Sequence, residues 1–232
     1  MIPTYNQRER TGQAAAEALA FLQREFGDRA ELIVVDDGSA PERATRESDL
    51  PSGVALVASP VNEGKGGAVR AGVARASGEY IIYTDSDLPF SLDPIATTLG
   101  WLQNGSDIVI GDRLLPESEC AVAVTGARRV SSVVYTWLVN RFLGLPLPDT
   151  QCGYKGYRGT VAKALFAKLQ VTSFAFEAEI LLRAKKAGLS IRRQPVRLVH
   201  NEDTSVSLSK HAPQMFMDTI RVGLRARRGL YG

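Results

Sequence analysis

Four short apolar runs, each ending in a polar turn and separated by segments of helical period, restrict this chain to few architectures. "ELIVVDDGS" (31–39), "EYIIYTDSD" (79–87) and "DIVIGDR" (107–113) read as buried strands, and "VALVAS" (54–59) as a weaker fourth. Between them Leu19, Leu22 and Phe26, then Val69, Val73 and Ala76, then Ile95, Leu99 and Leu102 recur at the spacing of one helix face. Strand–helix alternation predicts an α/β fold: one domain with a mostly parallel sheet and helices on both faces. Ligands of such sheets gather at the carboxyl ends of the strands. Asp36, Asp37, Asp85, Asp87 and Arg113 all fall there.

The stretch "EYIIYTDSDLPF" (79–90) sharpens the point, because it ends a strand on two carboxylates one residue apart. Two ionised carboxylates that close repel, so a compensating charge is needed. A divalent cation supplies it; the plainer alternative is a solvated, Asp-rich turn. The second half is less regular. Residues 128–143 read as an amphipathic helix with Val130, Val134, Trp137, Leu138 and Phe142 turned inward. "FEAEILLRAKKAG" is a further helix, "LSIRRQPVRLV" a strand interrupted at Pro195, and 200–212 a polar, mobile loop. "MIPTYN" reads as the end of a strand whose earlier residues are absent. In mid-sheet that missing pairing costs stability, so either chain continues upstream or this strand is unusually short.

Composition removes several classes. Of 232 residues, 44% are hydrophobic and 23% charged, ordinary for a globular domain. Cys120 and Cys152 form neither a disulfide framework nor a zinc spacing, which makes a reducing compartment the default. No apolar run approaches the roughly 20 residues of a membrane span, and no signal peptide opens the chain. A net charge of +3 is too small to argue for nucleic acid. Its distribution says more: on a helix over 213–232, Phe216, Ile220 and Leu224 share a face beside Arg221, Arg225 and Arg228. Such a helix either lies on an anionic membrane surface or packs its apolar face on the domain.

"PTYN" (3–6), "VVDDGS" (34–39), "NEGKGGAVRAG" (62–72), "TDSD" (84–87), "GDR" (111–113) and "DTQCGYK" (149–155) follow one another in an order and spacing that resemble family 2 glycosyltransferases of the GT-A fold. The likeness covers nearly the whole chain. It is most similar to the branch of polyprenyl- and dolichyl-phosphate sugar synthases, in particular those that transfer glucose.

That resemblance implies an inverting, metal-dependent enzyme moving a hexose, glucose from UDP-glucose, onto a polyprenyl or dolichyl phosphate. It implies a nucleotide-sugar half over 1–113, an acceptor half over 114–212, and a basic tail over 213–232 that holds the enzyme peripherally on a cytoplasmic membrane face. Asp85 and Asp87 become the Mg²⁺ or Mn²⁺ region, Asp87 the direct ligand and Asp85 either a second ligand or a ribose contact. Pro3, Tyr5 and Asp37 would enclose the base. Asp36 and Ser86 join the donor contacts, although Asp36 also suits a turn cap. Lys65 precedes a helix in a small-residue segment fit for phosphate, or for tight packing alone.

On the acceptor side Arg113, Arg128 and Ser132 match positions that hold the lipid phosphate, and Lys210 a lysine that closes over phosphates. Asp149 sits where relatives using a sugar hydroxyl keep their base, so it preserves that rival. A sugar-nucleotide-binding protein without turnover is the third reading. Three departures from the family pattern stand out. Gln7 replaces a common Glu; Pro89 replaces a Gln, which leaves His200 as a further metal candidate; and Glu177 replaces an Asp.

Overall fold

Every side chain of the second strand is buried, and its neighbours show why. The structure, a computed structural model, describes residues 1–120, 135–137, 139–141, 143–145, 147–199 and 208–231; of Cys120 and 208–212 it describes the backbone alone. Strand β1 (Ile2–Thr4) lies parallel to β2 (Leu32–Asp36), with Ile2 opposite Val34 and Thr4 opposite Asp36. On its other edge β2 pairs in parallel with β3 (Val54–Ala58). The alternation of a strand then sends Leu32 and Val34 to one face, where α1 (Arg8–Phe26) covers them with Ala14, Ala15, Ala18 and Phe21. Ile33 and Val35 face the other way, onto Ala68, Val69 and Val73 of α2 (Lys65–Arg75). A strand covered on both faces needs an unbroken apolar run, which is what 32–35 supplies.

A second group of strands runs in the order β4 (Tyr80–Tyr83), β7 (Lys155–Arg158), β5 (Ile108–Gly111) and β8 (Ile191–Gln194). Two hydrogen bonds join it to the first. The Met1 amine donates to the Ile82 carbonyl at 2.9 Å, and the Thr84 N–H donates to the Met1 carbonyl at 3.1 Å. Read across, the order is β3-β2-β1-β4-β7-β5-β8, with β1 in the centre. Helix α3 (Pro94–Gln103) lies against this half, and α4 (Gly159–Phe166) and α5 (Phe176–Lys186) enter the main core with α2. A small ribbon, β6 (Glu119–Cys120) with β9 (Arg197–Leu198), lies outside the main order.

Strand β7 is antiparallel to both of its neighbours. The sheet is therefore mostly parallel, as expected, with one reversal. The reversal has a consequence for the site. The segment entering β7, residues 149–154, lies at the same edge as the segments leaving β1, β2, β4 and β5.

Three expectations need correction. Trp137 is 62% exposed, whereas Val139 and Leu143 are buried, so the helical residues around 135–143 turn a different face inward than expected. Val130, Val134, Leu138 and Phe142 lie outside the described residues. The last helix, α6 (Leu208–Arg227), begins before Pro213 and takes in the end of the segment read as a loop. Pro195 does break the chain, between β8 and β9, as its missing N–H requires.

Candidate active site

Where β2 ends, the two adjacent aspartates organise two different loops. Asp36 accepts hydrogen bonds from the Ser39 N–H at 2.9 Å and the Thr45 N–H at 2.8 Å, one on each carboxylate oxygen. It is a turn-former, the plainer of its two expected roles. Asp37 accepts from the Glu63 N–H at 3.0 Å and the Gly64 N–H at 2.8 Å, which ties β2 to the loop that enters α2. Burial pushes the Asp37 carboxyl up despite these bonds. Each of its oxygens keeps a second lone pair for a ligand donor. Asn6, with a left-handed φ of 56°, completes the corner by accepting from the Ala40 N–H at 2.9 Å. Pro3 is buried within β1, while Tyr5 stands 47% exposed beside this corner.

The acidic pair at the end of β4 is asymmetric. Lys65, the first residue of α2, places its ammonium 2.7 Å from Asp85 Oδ1. Burial opposes the lysine's charge, but the carboxylates of Asp85 and Glu177 hold it above the ordinary lysine value. Asp87 has no such close cation, and burial together with the Asp85 charge pushes its carboxyl up. Between them Ser86 donates to Gln7 Oε1 at 2.8 Å, so the departure at position 7 anchors the acidic turn to the start of α1. The loop before β7 closes over Asp85. A Cβ at Gly153 would fall 1.9 Å from Asp85 Oδ2, and only glycine fits that approach.

The other charged residues form locked pairs. Arg113 grips Asp149 with two side-chain bonds, Nε to Oδ2 at 2.7 Å and Nη2 to Oδ1 at 2.9 Å, and its own N–H adds a third at 3.1 Å. Burial works to raise the Asp149 carboxyl, but Arg113 outweighs it and holds it below the usual carboxylate range. Asp112, fully buried, pairs with Arg193 Nε at 2.5 Å and caps the Leu114 N–H. Beneath the acidic turn runs a network that the motifs did not reveal. Lys155 donates to the Cys152 carbonyl at 2.6 Å and to Glu177 Oε1 at 2.8 Å, and Tyr83 donates to the same oxygen at 2.9 Å. Glu177, read beforehand as touching the sugar or metal surroundings, is instead a buried partner of Lys155. The only signal of this was a lysine in the strand "YKGYR" with no reason to be exposed.

The structure thus gathers Tyr5, Asp37, Lys65, Asp85, Ser86, Asp87, Arg113 and Asp149 along one sheet edge. Lys210 belongs to α6, and its side chain lies outside the described residues, as do Arg128, Ser132 and His200 entirely. Among the described residues no three His, Cys, Asp or Glu side chains cluster as a metal set. Asp87 still fits a hard cation: an oxygen donor, next to a second carboxylate, with more negative charge than Lys65 balances. Three buried polar atoms without partners, Thr84 Oγ1, Thr150 Oγ1 and Gln151 Nε2, adjoin Asp85 and Asp149 in the chain. Unused hydrogen-bonding capacity of this kind marks ligand sites more often than structural cores.

At the far end of the chain α6 packs through Asp218, Thr219 and Val222, and Tyr135 bonds Thr219 at 3.0 Å. The opposite side exposes Phe216, Met217 and Leu224. Arg221 pairs with Asp218 at 2.8 Å while remaining 63% exposed. No helix among the described residues is long and apolar enough to cross a membrane.

Comparison with known proteins places this geometry in context. Residues 1–166 match the family model described as glycosyl transferase family 2. A dolichyl-phosphate beta-glucosyltransferase from Homo sapiens is 29% identical over 250 residues, covering 100% of this chain and 76% of that protein. One from Drosophila melanogaster is 28% identical over 244 residues, covering 97% and 74%. Among solved structures, glucosyl-3-phosphoglycerate synthase from Mycobacterium tuberculosis in complex with Mn²⁺ and UDP-glucose superposes with a TM-score of 0.67 at 20% identity, covering 98% of this chain and 77% of that one. At that identity the likeness is one of fold, and it bears out the GT-A expectation.

Proposed function

The chain belongs to glycosyl transferase family 2, and from that premise we propose that it transfers glucose from UDP-glucose to a polyprenyl or dolichyl phosphate with inversion at the anomeric carbon. Two curated relatives of similar length carry the name dolichyl-phosphate beta-glucosyltransferase, which supports both the sugar and the acceptor. The observation that carries the acceptor class is the state of Asp149. Transfer to a sugar hydroxyl needs a base free to take its proton. Asp149 has both oxygens on Arg113 and a carboxyl held below its usual range, so it is poorly placed for that task. A phosphate monoester arrives already ionised and needs no base. It needs cations, and Arg113, with 38% of its side chain exposed, offers its remaining N–H groups to it.

In this reading a phosphate oxygen of the acceptor forms the new bond to the anomeric carbon as the bond to UDP breaks on the opposite face, and the electron pair leaves with the diphosphate. Asp37 and Tyr5 border the base. Lys65, at the amino end of α2, stands where phosphate charge gathers, and Asp85 holds it in place. A divalent ion, Mg²⁺ or Mn²⁺, would be held by Asp87 with Asp85 nearby and would stabilise the charge on the leaving diphosphate. The nucleotide-sugar half is 1–113 and the acceptor half 114–212, with the tail over 213–232.

The tail supports peripheral attachment to a membrane on its cytoplasmic face. Phe216, Met217 and Leu224 remain exposed after α6 has packed, beside Arg221 and Arg228. Each basic residue near an anionic surface contributes on the order of 1 kcal/mol. Flotation on anionic liposomes at low salt tests this: the full chain should float and a truncation before Pro213 should not. For the reaction, purified protein with a panel of radiolabelled UDP- and GDP-sugars and a short polyprenyl phosphate should yield lipid-linked glucose. Robust transfer to a free oligosaccharide, or preference for a GDP-sugar, would overturn the assignment.

A further inference from the structure

The central sheet has a gap in its middle. Strand β1 occupies only the upper part of the space between β2 and β4, and below it lies a cavity of about 510 Å³. Its side walls are the facing edges of two strands, Leu32–Ile33 of β2 and Tyr80–Ile82 of β4. Leu22 and Phe26 of α1 and Ile95 and Leu99 of α3 cover it from one face.

The backbone of those walls is set to receive a strand. On β2, Asp37 donates its N–H to the Thr4 carbonyl, so the odd-numbered residues present their N–H groups toward β1. Ile33 therefore aims its N–H at the cavity. On β4, Thr84 donates to the Met1 carbonyl, so the even-numbered residues do the same and Ile82 aims its N–H inward. The two edges also agree in register. Ile2 opposes Val34, which puts the residue joined to the Met1 nitrogen opposite Leu32, and the next two opposite Glu31 and Ala30. Counted from β4, the same three positions fall beside Ile82, Ile81 and Tyr80. Three residues at about 3.3 Å each make a strand of about 10 Å.

We infer that this gap is a strand-accepting slot whose occupant is an extended apolar segment of at least three residues, joined through the Met1 nitrogen and parallel to β2 and β4. The chemistry of the occupant follows from its surroundings. The sheet is covered on both faces here, so an apolar side chain suits every position rather than every second one. The residue next to Met1 has the same orientation as Ile2 and faces the α1 side, where Leu22 and Ile95 leave room. The Met1 nitrogen itself supports the assignment. It is a buried ammonium whose donation to the Ile82 carbonyl an uncharged peptide N–H would make equally well.

Three proteins test the inference: the 232-residue chain, the same chain with a four-residue Val/Ile extension at Met1, and the same chain with a Gly-Ser extension of equal length. The apolar extension should raise Tm by several degrees and slow hydrogen exchange at the Ile33 and Ile82 amides at least tenfold. The Gly-Ser extension should leave both far closer to the 232-residue chain. Equal effects of the two extensions, or no added protection at Ile33 and Ile82, would overturn it. If the apolar extension aggregates, an acetylated Val/Ile tetrapeptide added to the 232-residue chain reads the same two amides, and absence of protection there counts against the slot. Protection in the unextended chain that grows with protein concentration would assign the slot to a second copy and also overturn the proposal.

Discussion

Removing the lysine beneath the acidic turn should be among the costliest single changes in this protein. Lys155 and Glu177 are both essentially inaccessible to solvent and meet at 2.8 Å. At an effective dielectric near 20 two unit charges at that distance attract by about 6 kcal/mol, much of it offset by the cost of burying them. In Lys155→Met the attraction is lost while the burial of Glu177 remains, with the Tyr83 hydroxyl as its close donor. Breaking such a pair from one side costs about 3–5 kcal/mol. Against a typical domain stability of roughly 5–15 kcal/mol this is a large fraction. Converted at roughly 2–4 °C per kcal/mol for a chain of this size, Tm should fall by at least about 6 °C. The double variant Lys155→Met/Glu177→Leu removes both charges and should recover at least about 2 kcal/mol of the loss. Urea unfolding of the parent, both single variants and the double variant completes the cycle. A cost below about 1 kcal/mol for Lys155→Met, or a double variant no more stable than the singles, would falsify the claim that the pair acts as a unit.

The remaining expectations concern the site and the chain's start. Asp87→Ala should lower turnover by at least about a hundredfold while leaving Tm within a few degrees, and undiminished activity in chelator would remove Asp87 from the metal's ligands. Gly153→Ala should displace Asp85 and reduce turnover, because the added carbon meets that carboxylate; unchanged kcat/KM would show that the loop yields without cost. Asp149→Asn should raise the KM for polyprenyl phosphate more than that for the sugar nucleotide, since Arg113 loses its anchor; equal effects would favour a hydroxyl acceptor. Burial, opposed by Glu31, lowers the Met1 ammonium from 8.0 to about 5. The unfolded chain then binds this proton at a pH where the folded chain does not, so the stability is present above pH 8 and is lost as pH falls toward 5. Between pH 6 and pH 8 the gain should be roughly 2–3 kcal/mol, and an unfolding series flat across that window would refute the buried ammonium.

Sequence by itself determined the parts of this protein that depend on local period and on the residues at strand ends. The unbroken apolar run before Asp36 needs two covered faces, and only helices on either side of a parallel sheet provide them. The carboxyl ends of β2, β4 and β5 then had to share one edge, which put Asp37, Asp85, Asp87 and Arg113 together before any coordinates were known. Tertiary structure decided the pairings, because they join residues far apart in the chain. Arg113 meets Asp149 because β7 runs antiparallel between β4 and β5 and carries its preceding loop to the ligand edge. No local pattern near "DTQCGYK" signals that reversal. Likewise Lys155 finds Glu177 across the sheet–helix boundary, and Lys65 finds Asp85 because α2 begins beside the end of β4. Periodicity also left open which face of the last helix packs. Asp218, Thr219 and Val222 turn inward and leave Phe216 and Leu224 in solvent, a choice made by the neighbouring helix through Tyr135 and not by hydrophobicity along α6.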